Sequence, residues 1–231
     1  MGYRREHPTQ GVGHWADCQC GLVYQPAMEV ERSVFNAAYY QNHYRSDDHC
    51  RERFNQAVRV YLPLIEETLG GQHTLLDVGF GMPYFMQAAR ERGWTVHGAD
   101  WSPDADAGDI AADRISRKGF LELDPMRDYF QLLWCSHSLE TMPFREAFGQ
   151  AFDMLAEPGI LFLATPDAGE LNRNGLTDFL HWRPKECRWM FRQDVLCREV
   201  ERAGFRVLAC VQQDHTRFTH PQSIHLIARK G

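Results

Sequence analysis

The sequence predicts a three-layer α/β/α sandwich on a mostly parallel, seven-stranded sheet that ends in an antiparallel terminal hairpin. A strand pattern at residues 75–78 is followed by a glycine turn, a helix pattern and a second strand pattern at residues 94–99, the order of a βαβ unit. Strand and helix patterns then alternate up to residue 164. The last two strand patterns, residues 205–211 and 223–228, are joined by too few residues for a helical crossover, so they form an antiparallel pair.

Composition is compatible with one α/β domain and argues against several classes of protein. The chain has 231 residues, of which 44% are hydrophobic, enough to bury a full core. A net charge of −6 without basic runs argues against general binding of nucleic acid or of anionic membranes. No apolar run approaches the roughly 18 residues of a membrane span, and the N-terminus is polar, so we expect a cytoplasmic protein. Its 7 cysteines, an odd number, favour reduced thiols.

The βαβ unit predicts a nucleotide-binding site in a Rossmann-like fold. Gly79 and Gly81 form a turn that a ligand can approach closely, and Asp100 ends the second strand about 20 residues later, as an acid that binds ribose hydroxyls does. The third glycine of a dinucleotide fingerprint is missing, and Pro83 has no N–H to give to a pyrophosphate. The turn therefore favours a ligand without phosphate at this point over NAD or FAD. A packing turn with no ligand is the alternative.

The stretches LLDVGFGMPYF and VHGADWSP resemble the first motif and the second strand of class I S-adenosylmethionine (SAM) dependent methyltransferases. The resemblance implies SAM as the cofactor. It also implies that Asp77, Gly79 and Gly81 border the aminocarboxypropyl and ribose parts of SAM, and that Asp100 accepts hydrogen bonds from the ribose. The complete set of predicted cofactor-binding residues is Asp77, Gly79, Phe80, Gly81, Asp100, Trp101, Asp124 and Ser136.

Residues 1–52 show little periodicity and are predicted to form an arm or lid before the SAM-binding domain, residues 53–231. The arm's HWADCQCGLVY stretch resembles half of a zinc-ribbon arm found before some of these methyltransferases. Its second cysteine pair is absent, so we predict a remnant without metal. The resemblance places arm tyrosines over the cofactor pocket, and Tyr40 and Tyr44 are predicted to contact the substrate. Simple surface packing of these tyrosines is the alternative.

The next elements are a helix at residues 53–69, which Pro63 should kink or divide, and a third strand at residues 120–123 after an irregular crossover. In the resembled family an acid after the third strand often receives the adenine amino group. Asp124 is the candidate for this role, with Asp109 in reserve. A helix cap or a turn is the alternative role for either acid.

The fourth strand and its loop, residues 132–140, resemble the family's post-strand motif, where cofactor and acceptor meet. Ligands of open α/β sheets bind beyond the carboxyl ends of the strands, so Ser136 and His137 are expected at the site. His137 is the predicted acid/base residue, and a structural histidine is the alternative. A helix at residues 144–155 and a fifth strand at residues 160–164 follow.

An insertion on the acceptor side is predicted at residues 168–191, which are rich in Gly, Asn, Trp, His and Arg. Loops over a rigid sheet carry specificity, so Trp182 and Arg183 are predicted to contact the substrate, and His181 is a second catalytic candidate. An aromatic clasp that holds the loop down is the alternative. The last helix is predicted at residues 194–203.

These features together predict a SAM-dependent methyltransferase that moves a methyl group to an unidentified small-molecule acceptor by in-line transfer in a closed pocket. His137 or His181 would take the proton of a hydroxyl or amine acceptor. A second hypothesis is a catalytically degenerate methyltransferase-fold module that binds a partner. It is suggested by four departures from the resembled motifs, at Phe80, Pro83, Thr141 and Cys187. An NAD-dependent oxidoreductase is less favoured, because of the missing glycine and the terminal hairpin.

Overall fold

A computed structural model describes residues 3–8, 14–18, 21–25, 30–43, 47–71, 73–170, 183, 185–213 and 222–231. The strands are β1 Tyr3–Pro8, β2 His14–Cys18, β3 Val23–Tyr24, β4 Thr74–Val78, β5 Thr95–Ala99, β6 Ile115–Ser116, β7 Phe130–Ser136, β8 Leu155–Pro166, β9 Trp189–Met190, β10 Phe205–Gln213 and β11 Ser223–Lys230. The α-helices are α1 Ala37–His43, α2 Asp47–Glu66, α3 Tyr84–Glu91, α4 Phe144–Met154 and α5 Gln193–Arg202. Short 3₁₀ helices lie at Arg32–Val34, Ala112–Arg114, Phe120–Glu122 and Leu139–Thr141.

The main sheet has seven strands in the order β6-β5-β4-β7-β8-β11-β10. Its neighbours pair in parallel from β6 through β8, whereas β11 runs antiparallel to both β8 and β10. The mostly parallel α/β sheet and the antiparallel terminal hairpin are therefore confirmed. The carboxyl ends of β4, β5 and β7 lie side by side at one edge, which is where ligands bind in such sheets.

Helices cover both faces of the sheet and bury two hydrophobic clusters. The cluster under α2 and α3 contains Phe85, whose ring stacks on Trp134 at 4.1 Å, and Trp134 in turn stacks on Phe162 at 3.6 Å between ring centroids. Helix α3 buries Phe85, Met86 and Ala89, which lie on one face of the helix. Helices α4 and α5 bury their apolar faces in the second cluster. The rigid sheet between these layers positions the loops at its edge.

Two predictions about the elements were wrong. Residues 120–123 do not form the third strand: β6 pairs with Gly98 and Ala99, and Phe120–Glu122 is a 3₁₀ helix that buries Phe120. Strand β6 has only two residues, too few to show a periodic pattern in the sequence. The apolar residues at 120–123 resemble a strand pattern, so the strand was placed there instead. Pro63 does not divide the helix, because α2 is a single helix that contains it. Pro63 lies in the last turn, where little helix remains to be broken.

The N-terminal segments contain more regular structure than expected. Strands β1, β2, β3 and β9 form an antiparallel sheet, which joins the start of the chain to the end of the predicted insertion. Gln25 strengthens this connection, because its N–H donates to Arg188 O at 3.1 Å and its Nε2 to Cys187 O at 2.9 Å. Among the described residues no group of three His, Cys, Asp or Glu side chains is arranged to hold a metal ion. No helix in the described part of the chain could cross a membrane.

Candidate functional site

A cavity of about 350 Å³ opens at the carboxyl ends of β4, β5 and β7. Of the side chains and turns predicted from the sequence, it brings together Gly79, Gly81, Asp100, Trp101, Ser136, His137, Tyr40 and Arg183. Asp77, Phe80 and Asp124 do not line it. Tyr44, His181 and Trp182 lie outside the described residues. The glycine turn and the post-β7 loop, which are far apart in sequence, thus face one space.

The glycine turn presents its backbone to the cavity. Gly79 has φ of +72° and Gly81 has φ of +54°, a left-handed conformation that favours glycine. A Cβ on Gly79 would lie only 2.6 Å from Ser138 Cβ, so no other residue fits without displacement. The Gly81 N–H donates to Asp100 Oδ2 at 2.9 Å, and the Ser102 N–H donates to Asp100 Oδ1 at 2.8 Å. Asp100 therefore orders the turn as well as facing the cavity.

Two neighbouring acids make this end of the site electrostatically unusual. Burial raises the pKa of Asp100, although hydrogen bonds from Ser102 and Gly81 and the charge of Arg117 act in the opposite direction. Asp77, in β4, does not line the cavity. Burial and the charge of the nearby Asp100 raise the pKa of Asp77 well above its usual range. Two carboxylates in one buried region resist simultaneous ionisation. This end of the cavity would therefore be stabilised by a cationic ligand.

Two predicted cofactor-binding residues, Phe80 and Asp124, and the reserve acid Asp109 do not line the cavity. Phe80 is buried in the core cluster under α2 and α3, with its ring against Gly98. Asp124 is exposed. The reserve acid, Asp109, is also exposed and pairs with Arg90 at 2.7 Å, which lowers the pKa of Asp109. The wall next to Asp100 is formed instead by Lys118, Gly119, Phe120, Leu121 and Glu122.

The segment before α1 closes one side of the cavity with aromatic and charged groups. The Arg32 guanidinium lies 5.2 Å from the ring centroid of Trp101 and pairs with Glu122, and that hydrogen bond lowers the pKa of Glu122. The Phe35 ring lies 5.7 Å from Trp101, and Phe35 O accepts a hydrogen bond from Ser102 Oγ at 2.5 Å. This segment is thus fixed to the loop that follows β5.

The post-β7 loop brings a histidine and a buried acid to the cavity. His137 has φ of +55°, uncommon for a residue other than glycine, and its N–H donates to Ala164 O at 2.8 Å. His137 Nδ1 lies 3.5 Å from Glu140 Oε1. Glu140 Oε2 accepts a hydrogen bond from Thr165 Oγ1 at 3.3 Å. On the other side of the ring, His137 Nε2 lies 3.4 Å from Ser223 Oγ.

Another wall of the cavity joins α1 to the C-terminal part of the predicted insertion. One oxygen of Glu186, Oε2, accepts hydrogen bonds from Tyr39 OH at 3.2 Å and from Arg183 NH1 at 3.2 Å. Tyr40, the neighbour of Tyr39, is buried against the same wall and lines the cavity. Burial and the charges of Glu140 and Glu186 raise the pKa of the Cys187 thiol well above its usual range. Cys187 is therefore a neutral, buried wall residue.

Several cavity residues were not predicted from the sequence. Arg53, in α2, lines the cavity, but the helical pattern of this segment pointed only to core packing. Glu186 belongs to the predicted insertion, residues 168–191, but it has no motif of its own. Glu140 belongs to the resembled post-strand motif, and that motif was the one available signal for it. Sequence patterns locate helices and strands better than they locate the side chains that face a cavity.

Comparisons with known proteins agree with this geometry. A family model for a methyltransferase domain matches residues 47–210. A Burkholderia thailandensis 1,6-didemethyltoxoflavin-N1-methyltransferase, solved with 1,6-didemethyltoxoflavin and S-adenosylhomocysteine, is 16% identical over 98% of this chain and 99% of that chain, with a TM-score of 0.64. A SAM-dependent methyltransferase from Archaeoglobus fulgidus is 18% identical over 83% and 98%, with a TM-score of 0.62. The cyclase SpnF is 22% identical over 73% and 78%, with a TM-score of 0.55. No curated protein matches the chain in sequence. At these identities the solved structures show the fold.

Proposed function

The chain belongs to the methyltransferase domain family, and we propose that it transfers a methyl group from SAM to a small-molecule acceptor. The observation that supports this proposal is the shared cavity, which is lined by the glycine turn and Asp100 and also by His137 and Glu140 of the post-β7 loop. A cofactor at the turn and an acceptor at the post-β7 loop would meet inside it. Such an arrangement catalyses mainly by proximity and orientation.

The residues at the turn fit SAM. Gly79 has no room for a Cβ, and Gly81 leaves backbone at the cavity surface, where a ligand without phosphate can lie close. Asp100 would accept hydrogen bonds from ribose hydroxyls, and Trp101 would pack beside the nucleoside. Arg53 would bind the carboxylate of the methionine part by a charge-assisted hydrogen bond. When bound, SAM supplies a methyl group on a positively charged sulfur, and the acids at this end favour a cation.

The acceptor side supports a small, protic acceptor. His137 lines the cavity and would take the acceptor's proton. Arg183 and Tyr40 would shape the acceptor pocket, together with His181, Trp182 and Tyr44, which remain predictions. Residues 1–52 would act as a lid over residues 53–231, in line with the contact of Tyr39 with Glu186. The net charge of −6 supports action on small molecules rather than on nucleic acid, and a cytoplasmic location stays a prediction.

A partner-binding module without catalysis is the second candidate, because one fold can host several functions. SpnF, which has a similar fold, is named as a [4+2]-cyclase. Two of the four departures that suggested this candidate, Phe80 and Pro83, do not line the cavity, whereas Thr141 and Cys187 do. Phe80 is buried in the core, Pro83 packs against Gly108, and the Thr141 hydroxyl donates to Ser138 O at 2.7 Å. The placements of Phe80 and Pro83, which leave the turn open to the cavity, favour the methyltransferase over the degenerate module.

Calorimetric titration with SAM tests the proposal. Asp100→Asn should weaken SAM binding by about tenfold or more, because a hydrogen bond to a charged group is worth about 1.5–3 kcal/mol. Asp109→Asn is the matched control, since Asp109 is an exposed acid outside the cavity, and its SAM affinity should equal that of the wild type. Equal affinities for all three proteins would refute the assigned cofactor end. No binding of millimolar SAM by the wild type would favour the degenerate module.

A further inference from the structure

Two cysteines lie together between the last helix and the outer strand of the main sheet. Cys197 belongs to α5 and Cys210 to β10, and neither is in a disulfide. Gln193, in the first turn of α5, fixes the helix against the strand, because its Nε2 donates to Cys210 O at 2.6 Å. Cys197 follows Gln193 by one turn and so lies on the same face of the helix. This face therefore brings Cys197 next to Cys210.

The surroundings of the two thiols agree with this placement. Cys197 and Cys210 both pack against the hydrophobic cluster that α4 and α5 bury. Burial, and then a side-chain hydrogen bond with Cys197, raise the pKa of the Cys210 thiol, so the two side chains interact and Cys210 keeps its proton. Both residues are only partly buried, so a small reagent can reach them, whereas Cys50, Cys135 and Cys187 are buried.

We propose that Cys197 and Cys210 form a reversible disulfide when the folded protein meets a small-molecule disulfide such as oxidised glutathione. The Cys197 thiolate attacks one glutathione sulfur, and the sulfur–sulfur bond breaks with its electron pair going to the departing glutathione, which takes up a proton. Cys210 then loses its proton to water, and its sulfur attacks the Cys197 sulfur and displaces the second glutathione, which is protonated in turn. The two protein thiols are oxidised, and the glutathione disulfide is reduced to two molecules of glutathione.

The bond joins α5 to the edge of the main sheet. Strand β10 is the outer strand of the seven, and it pairs with β11 on its inner side. An outer strand is the part of a sheet that opens or pairs with another chain most readily. A disulfide to α5 closes a short loop and restricts the unfolded chain, so it holds β10 in place. Neither cysteine lines the cavity, so the inference does not depend on the proposed function.

Peptide mass spectrometry detects this bond directly. The folded wild type is incubated with excess oxidised glutathione, denatured in an alkylating reagent and digested with trypsin without reduction. Trypsin releases residues 193–198 and residues 207–217 as separate peptides, each with a single cysteine. The two peptides should be joined in most of the wild-type protein, and dithiothreitol should separate them. Cys50, Cys135 and Cys187 should stay reduced in the same sample, because they are buried.

Two variants test the order of the steps. Cys210→Ser should stop at a glutathione adduct on Cys197, because the thiol that displaces the second glutathione is gone. Cys50→Ser is the matched control: it removes a cysteine outside the pair and should form the joined peptides as the wild type does. Wild-type protein with unmodified thiols, or with separate glutathione adducts on Cys197 and Cys210, would overturn the inference. So would joined peptides that appear only in urea, because contact in the folded protein would then not be their cause.

Discussion

Replacing Gly79 with alanine tests whether the turn needs glycine for both its conformation and its contact with Ser138. Gly79 has φ of +72°, and a Cβ here would lie 2.6 Å from Ser138 Cβ. Ser138 cannot simply rotate away, because the clash involves its Cβ and its hydroxyl donates to Val78 O at 2.6 Å. Alanine in a left-handed conformation costs about 1–2 kcal/mol, and overpacking costs about 1–3 kcal/mol. We therefore expect Gly79→Ala to lower the free energy of unfolding by about 2–5 kcal/mol.

Gly93→Ala provides the matched control. Gly93 has φ of +95°, and a Cβ there would meet no atom within 4 Å. Only the conformational cost applies, so the loss of unfolding free energy should be about 1–2 kcal/mol. Gly93 follows α3 and does not line the cavity, so the affinity for SAM should stay at the wild-type value. The difference between the two variants isolates the contact with Ser138.

Urea unfolding followed by tryptophan fluorescence gives both free energies, and calorimetry gives the SAM affinity of each folded variant. Gly79→Ala should bind SAM more weakly, because relief of the clash moves either the turn or Ser138, and both line the cavity. Equal losses of stability in the two variants would refute the close approach of Gly79 to Ser138. Unchanged SAM binding by Gly79→Ala would refute the placement of SAM at this turn.

Two further predictions concern charged groups. Arg53→Met should weaken SAM binding by about tenfold or more, because it removes the partner proposed for the SAM carboxylate. Binding of decarboxylated SAM, measured by the same calorimetry, should stay unchanged. Equal weakening for both ligands would contradict a bond between Arg53 and the carboxylate. Burial lowers the pKa of His225 to about 4, so between that value and the unfolded value of about 6.5 the unfolded chain binds more protons. His225 therefore makes stability fall with falling pH, by about 2 kcal/mol between about pH 7.5 and about pH 5. His225→Gln should remove this loss in urea unfolding at the two pH values, and an unchanged pH dependence would contradict it.

Most of the main sheet could be predicted because its signals are local. The glycine turn, the helix pattern of α3 and the short connection before β11 are each visible in a few consecutive residues. The small sheet could not be predicted. It pairs Val23 with Met190 and Tyr24 with Trp189, and no periodic pattern links two-residue strands so distant in sequence. The prediction of the third strand was wrong for the same reason, since only two residues of β6 pair with β5.

The candidate site was predictable to the extent that sheet topology determines it. Because β4, β5 and β7 end at the same edge, residues directly after these strands meet there, and Gly79, Asp100 and His137 all line the cavity. Arg53 and Glu186 reach the cavity from a helix and from the C-terminal part of the predicted insertion. Their positions depend on how those segments cross the edge of the sheet, which is a tertiary property that local patterns do not encode.

The two bulky residues in the turn illustrate how packing can offset a departure from a motif. Phe80 packs where Gly98, in the neighbouring strand, has no side chain: a Cβ there would lie 2.8 Å from Phe80 Cδ1. Pro83 packs likewise against Gly108, whose Cβ would lie 3.0 Å from Pro83 Cβ. In each pair a large residue in the turn faces a glycine outside it, so the added volume goes into the core or the adjoining loop. The identity of a turn residue thus says little about a pocket until the direction of its side chain is known.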